Sequence, residues 1–133
     1  MVNWFIYIFF VFFLILFFVY VFGNRETIDI NDLEIDSEYS FFNNSQGKTA
    51  YYSIGDDSSE PLILIHGVTV PSHYYKKIAT SLSEIGYKVY VYDHFGRGFS
   101  DRPKIRYNMY AYQSQLNDFI NHLSLDNVTL MGV

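Results

Sequence analysis

The chain has 133 residues, half of them apolar and a fifth aromatic, with a formal net charge of −5 and no cysteine. That length allows one domain at most. The missing cysteines exclude a disulfide framework, a thiolate nucleophile and a thiolate metal site, and the charge balance offers no basic stretch suited to nucleic acid. Both excesses are local. The apolar surplus sits at the amino terminus, and Glu26, Asp29, Asp32, Glu34, Asp36 and Glu38 against Arg25 account for the whole net charge.

Residues 4–22 read W-F-I-Y-I-F-F-V-F-F-L-I-L-F-F-V-Y-V-F, with no charge, Gly or Pro. As a helix rising about 1.5 Å per residue, this run is about 28 Å long, close to the hydrocarbon thickness of a bilayer. Trp4, Tyr7 and Tyr20 lie near its ends, where amphipathic rings favour the interface. A cleaved signal peptide is the competing reading. It calls for a basic leading segment, which Met1-Val2-Asn3 lacks, and for a shorter apolar run of about 7–15 residues. The expectation is a transmembrane signal-anchor helix and a single-pass membrane protein. Residues 23–38 follow as an acidic linker, read as a solvated spacer that holds the domain off an anionic membrane surface.

Residues 39–42 and 49–54 flank a turn through Asn43-Asn44-Ser45-Gln46-Gly47 and predict a β-hairpin. Leu62, Ile63, Leu64 and Ile65 form a short apolar run suited to a central strand, ending in His66-Gly67. Ser72 is placed to cap a helix with an apolar stripe of Tyr74, Tyr75, Ile78, Leu82 and Ile85, stopped by Gly86. Val89, Tyr90, Val91 and Tyr92 predict a strand buried on both faces. Asp93 ends it, and Gly96 and Gly98 allow a sharp turn. Asn108 can cap a second helix whose buried face is Tyr112, Leu116, Phe119, Ile120 and Leu123. A last strand runs through Val128-Thr129-Leu130-Met131 into Gly132-Val133. A hairpin, then strand–helix–strand–helix–strand, implies an α/β fold with a mostly parallel sheet covered by helices.

Three strands therefore run into His66-Gly67-Val68, into Asp93-His94-Phe95-Gly96-Arg97-Gly98-Phe99-Ser100, and into Met131-Gly132-Val133. This combination and order resemble the α/β-hydrolase fold, in the large group with His-Gly after the third strand and D-x-x-G-x-G-x-S after the fourth. The resemblance covers residues 39–133, roughly the first half of that domain. In that family the fifth strand leads into the nucleophile elbow G-x-S-x-G, and Gly132 and Val133 match its first two positions. The resemblance implies a serine as the following residue, with the acid and the histidine of the triad later still. It therefore implies an incomplete domain, without a catalytic residue of its own and inactive alone. One side of the oxyanion hole remains, the backbone N–H of Val68. His66, Gly67, Asp93, Gly96, Gly98 and Ser100 are the expected walls of the site.

Plainer roles stand beside these. His66 reads as a structural histidine, and Asp93 as a residue that fixes its turn through backbone N–H groups. His73, His94 and His122 show no metal-ligand spacing, Asp101 and Arg102 read as a surface pair, and no cofactor is expected. Gly96-Arg97-Gly98 could open a dinucleotide loop, but Asp101 stands where the third glycine belongs. Two functions follow. One is a membrane-anchored serine hydrolase of lipid-type carboxylic esters, of which this chain is a part; its partners are the lipid bilayer and a small apolar ester. The other is a catalytically inactive, membrane-tethered binding module with an open sheet edge. Epoxide hydrolase, dehalogenase and peptidase members share the same motifs.

Overall fold

Four consecutive apolar residues can be buried only where both faces of a strand are covered, and Leu62–Ile65 occupy such a place. The computed structural model describes residues 4–23, 38–67 and 69–133. Within them, β1 (Ser40–Asn43), β2 (Lys48–Ile54), β3 (Glu60–Ile65), β4 (Tyr87–Tyr92) and β5 (Thr129–Gly132) form one sheet in the order β1-β2-β4-β3-β5. β3 lies between β4 and β5 and is parallel to both, with Leu62 opposite Val89 on one side and Thr129 on the other. The hairpin expected at the start is present, and its second strand is itself joined antiparallel to β4. The sheet is thus mixed, parallel only where helices make the crossovers.

Alternation along the strands sorts the core onto two faces. Leu62, Leu64, Val89 and Val91 pack with Tyr52 under α2 (Lys76–Glu84), which contributes the buried Ala79. Ile63 and Tyr92 pack with Phe42 and Phe119, the latter from α3 (Met109–His122). Stacked and edge-on rings fill this second face. The Phe119 ring lies 5.5 Å from Phe42 and 5.0 Å from Tyr92, within the range where aromatic pairs add to burial.

Both helices differ from their sequence patterns in instructive ways. α3 is capped as expected, the Asn108 side chain accepting from the Ala111 N–H at 3.0 Å. Its most buried positions, however, are Ala111, Gln115 and Phe119. Ser72 does not cap its helix through its side chain: a 3₁₀ turn (Ser72–Tyr75) precedes α2, and the Ser72 hydroxyl meets the Tyr39 hydroxyl at 3.0 Å. The tighter 3₁₀ winding changes the phase of the stripe. Tyr75, Ala79 and Leu82 face the sheet, while Tyr74 and Ile85 are 69% and 71% exposed.

The chain divides into two units between Leu33 and Glu34. The first holds α1 (Trp4–Gly23), a helix with no buried residue. It is the one helix among the described residues long and apolar enough to cross a membrane. Most of the acidic linker, residues 24–37, lies outside the described residues.

Candidate active site

The parallel strands β4, β3 and β5 all end on one side of the sheet, so the loops that follow them are neighbours by topology. At the β3–β5 boundary, Ile65 stands opposite Gly132, and the Val133 N–H donates to the Ile65 carbonyl at 3.1 Å. A Cβ on Gly67 would lie 3.2 Å from the Val133 carbonyl oxygen, so the backbone after β3 passes close to the backbone after β5. A side chain at 67 would crowd that oxygen by a few tenths of an ångström. Val68, the expected oxyanion donor, lies outside the described residues.

The β3 and β4 loops are joined through a histidine. The His94 backbone N–H donates to His66 Nε2 at 3.0 Å, and His66 Nδ1 is 2.7 Å from the Gly67 carbonyl. A ring nitrogen that accepts carries no proton. The ring is therefore the Nδ1–H tautomer, donating to Gly67, and Asp93 Oδ1, at 3.8 Å from Nε2, is not its ion-pair partner. His66 is buried and spends both nitrogens on backbone groups.

Asp93 is fully buried and ties the two loops from the other side. Its Oδ1 accepts from the Ser72 N–H at 2.8 Å and its Oδ2 from the Phe99 N–H at 3.1 Å. Backbone donors compensate the buried charge. Gly98 closes the turn at φ +48°, where a Cβ would collide with the Asp93 carboxylate. The Ser100 hydroxyl, also fully buried, donates to the Asp93 carbonyl at 2.6 Å and accepts from the Ala50 N–H at 2.9 Å. Gly96, at φ +78°, leaves room for the Tyr107 ring.

Two members of this network carry no signal in a motif search. Gln115, fully buried on the apolar face of α3, accepts from the Phe95 N–H and donates to Thr49 Oγ1 and to the Asp93 carbonyl at 2.9–3.0 Å. Asp101, expected as a surface partner of Arg102, spends Oδ2 on the Lys48 N–H at 2.7 Å. Its own N–H returns to the Lys48 carbonyl at 2.9 Å, clamping the loop to the hairpin. A polar residue inside an otherwise apolar helix stripe was the one available hint for Gln115.

His94 packs its ring 4.5 Å from that of His66 and 4.8 Å from that of Tyr112, and its buried Nδ1 has no hydrogen-bond partner among the described residues. Burial, and then the neighbouring His66, push its imidazole down to about 4. Among the described residues no three His, Asp or Glu side chains are grouped to hold a metal ion. The arrangement joins the strand tips and positions backbone groups.

Comparison with known proteins extends this geometry. The sequence model of a family described as alpha/beta hydrolase fold matches residues 60–133, more than half of the chain. A haloalkane dehalogenase of Mycolicibacterium paratuberculosis is 34% identical over 83 residues, which cover 60% of this chain and 27% of that protein. A proline iminopeptidase of Clostridioides difficile is 31% identical over 90 residues, covering 64% of this chain and 30% of that one. A solved carboxylesterase structure from Nitrososphaera gargenis superposes with a TM-score of 0.66 at 26% identity, over 70% of this chain and 35% of that one. The chain thus spans about a third of the length of the proteins it matches.

Proposed function

The chain belongs to the α/β-hydrolase fold family, and from that premise we propose that it is part of a membrane-anchored hydrolase of carboxylic esters of the lipid or acylglycerol type. In this reading α1 is a retained anchor in the bilayer, and an apolar ester is the substrate of the longer protein. A serine in the elbow that Gly132 and Val133 begin attacks the ester carbonyl while a histidine takes its proton; the alcohol leaves with that proton, and water, deprotonated by the same histidine, then releases the acyl group as the acid and restores the serine. The Val68 N–H, with the N–H after the nucleophile, holds the oxyanion. The observation that carries the reading is the adjacency of the β3 and β5 tips, Val133 N–H on the Ile65 carbonyl at 3.1 Å. A residue after Val133 then stands beside the loop that carries Val68. His66 and Asp93 tie that loop to the one after β4, which Gln115 holds in turn, none of them taking part in bond making.

A fluorophosphonate probe reacting with the product of the full coding sequence tests it. Labelling that is lost when the elbow serine becomes alanine is expected. A frame that continues past Val133 with no serine in the next few codons overturns it. The likeness to a protein named haloalkane dehalogenase favours a second reading, an acidic residue at the elbow, which the probe would leave unlabelled.

A further inference from the structure

Directly after the site wall, residues 102–117 carry Arg102, Lys104 and Arg106 and no acid. Outside this segment, acids outnumber bases from Glu38 onward. The nearest acid before it, Asp101, has its Oδ2 on the Lys48 N–H. The segment is also apolar where it meets solvent. Tyr107 is 43% exposed, Met109 81% and Tyr110 77%, although the neighbouring Ala111 and Tyr112 turn toward the core side of α3. Its shape is fixed from within. The Ile105 N–H and the Tyr107 hydroxyl both donate to the Pro103 carbonyl, at 2.8 and 2.9 Å, and the Tyr107 ring lies against Gly96.

We propose that residues 102–110 form a docking surface for an anionic lipid bilayer, with Lys104 and Arg106 meeting head groups while Tyr107, Met109 and Tyr110 enter the interface. Bases beside exposed tyrosine and methionine are the composition that a charged lipid surface selects. Each base near such a surface strengthens binding about fivefold, so Lys104 and Arg106 together supply on the order of 25-fold. That is weak for a free protein. It suffices for one already tethered, because docking is then intramolecular. In this respect the inference rests on the retained-anchor reading above. The exposed Tyr74 and Ile85, just before and just after α2, stand among mixed charges instead: Glu84 adjoins Ile85, Lys76 is paired with Glu38, and Lys77 is the one other base on that helix. Docking through 102–110 brings the loop that walls the site against the lipid, so that an ester with long acyl chains reaches it from the bilayer.

The chain has no cysteine, so single cysteines report cleanly. The full chain, carrying Tyr110→Cys or, as a control, Ile85→Cys, is labelled with an environment-sensitive fluorophore. It is then reconstituted into vesicles of phosphatidylcholine alone or of phosphatidylcholine with phosphatidylserine. The probe at 110 should lose at least about half of its quenching by acrylamide in the anionic vesicles only. The probe at 85 should stay quenched in both, and Lys104→Glu with Arg106→Glu should restore quenching at 110. Equal quenching at 110 in the two compositions, or shielding that survives the double charge reversal, overturns the proposal. Extraction of the chain by alkaline carbonate overturns the anchor reading instead. Binding of the extracted chain to the anionic vesicles, measured by flotation, still decides the docking surface.

Discussion

A Cβ on residue 98 would occupy the space of the Asp93 carboxylate. Neither partner can yield: Gly98 sits at φ +48°, and both Asp93 oxygens are held by backbone N–H groups of separate loops. Gly98→Ala should therefore cost about 2–4 kcal/mol, combining a left-handed backbone with a blocked side chain. Gly96→Ala meets only the Tyr107 ring, at 3.3 Å, and should cost about half as much. Gly132→Ala meets nothing within 4 Å among the described residues and should stay within about 0.5 kcal/mol. Thermal unfolding of the full chain in detergent gives the ranking. Equal losses at 98 and 132 would remove Asp93 from its role as the joint.

Gln115 makes the corresponding joint from the helix side. Gln115→Leu leaves the Phe95 N–H buried without an acceptor and the Asp93 carbonyl with one donor fewer. A loss of about 2–4 kcal/mol is expected. Thr49→Val removes one acceptor of the same amide and should cost about 1 kcal/mol. The double variant should lose less than the two single losses added together, because the Gln115–Thr49 bond is counted in each. Strict additivity would mean that the bond contributes nothing.

His94 gives the fold a pH dependence of known sign. Burial, with His66 beside it, lowers its pKa from 6.5 to about 4. Between those values the unfolded chain binds the proton and the folded chain does not. Stability is therefore fully present above about 6.5 and is lost as pH falls toward 4, by at most about 3 kcal/mol. His94→Phe keeps a ring against Tyr92 and Tyr112 and removes the titrating group. The variant should lose less stability than the parent chain across this window, with the carboxylates common to both. Parallel curves would assign the acid sensitivity to other groups.

How much of this was legible depended on how local the cause was. The apolar runs at 62–65 and 89–92, the hairpin, the Asn108 cap and the order of elements follow from short-range chemistry, and all are present. Expectation and structure part where a distant partner decides. Large apolar residues marked Tyr74, Ile78 and Ile85 for burial. Tyr75 and Leu82, of the same expected stripe, do pack on the sheet, but after the 3₁₀ turn at Ser72–Tyr75 it is the small Ala79 that is buried with them. Asp93 was visible as the end of a strand. Its acceptor role toward Ser72, 21 residues earlier, depends on how two crossover loops meet. Gln115 left only a faint trace, a polar residue inside an apolar stripe, because the stripe predicts burial and does not tell which backbone groups a polar residue there will meet. Val68 and the acidic linker lie outside the described residues.

The end of α3 offers a change that should stabilise. Ser124 has φ +54° and is the one non-glycine residue with positive φ among those described. Its N–H donates to the Asn121 carbonyl at 3.1 Å, and the Leu125 N–H reaches back to the Ile120 carbonyl at 3.2 Å. Those two bonds define a Schellman stop, in which the left-handed position is ordinarily glycine. Ile120 and Leu125 both pack on the Phe119 side of the core, so the stop is anchored and cannot unwind to relieve the serine. Ser124 is exposed. Ser124→Gly should raise stability by about 0.5–1 kcal/mol, the relief of the left-handed backbone exceeding the added freedom of the unfolded chain. For a domain of this size that is a rise in Tm of about 2–8 °C, measured on the full chain in detergent. Ser124→Val, β-branched in the same conformation, should lower Tm. A Tm that fell with glycine and held with valine would show that α3 ends elsewhere.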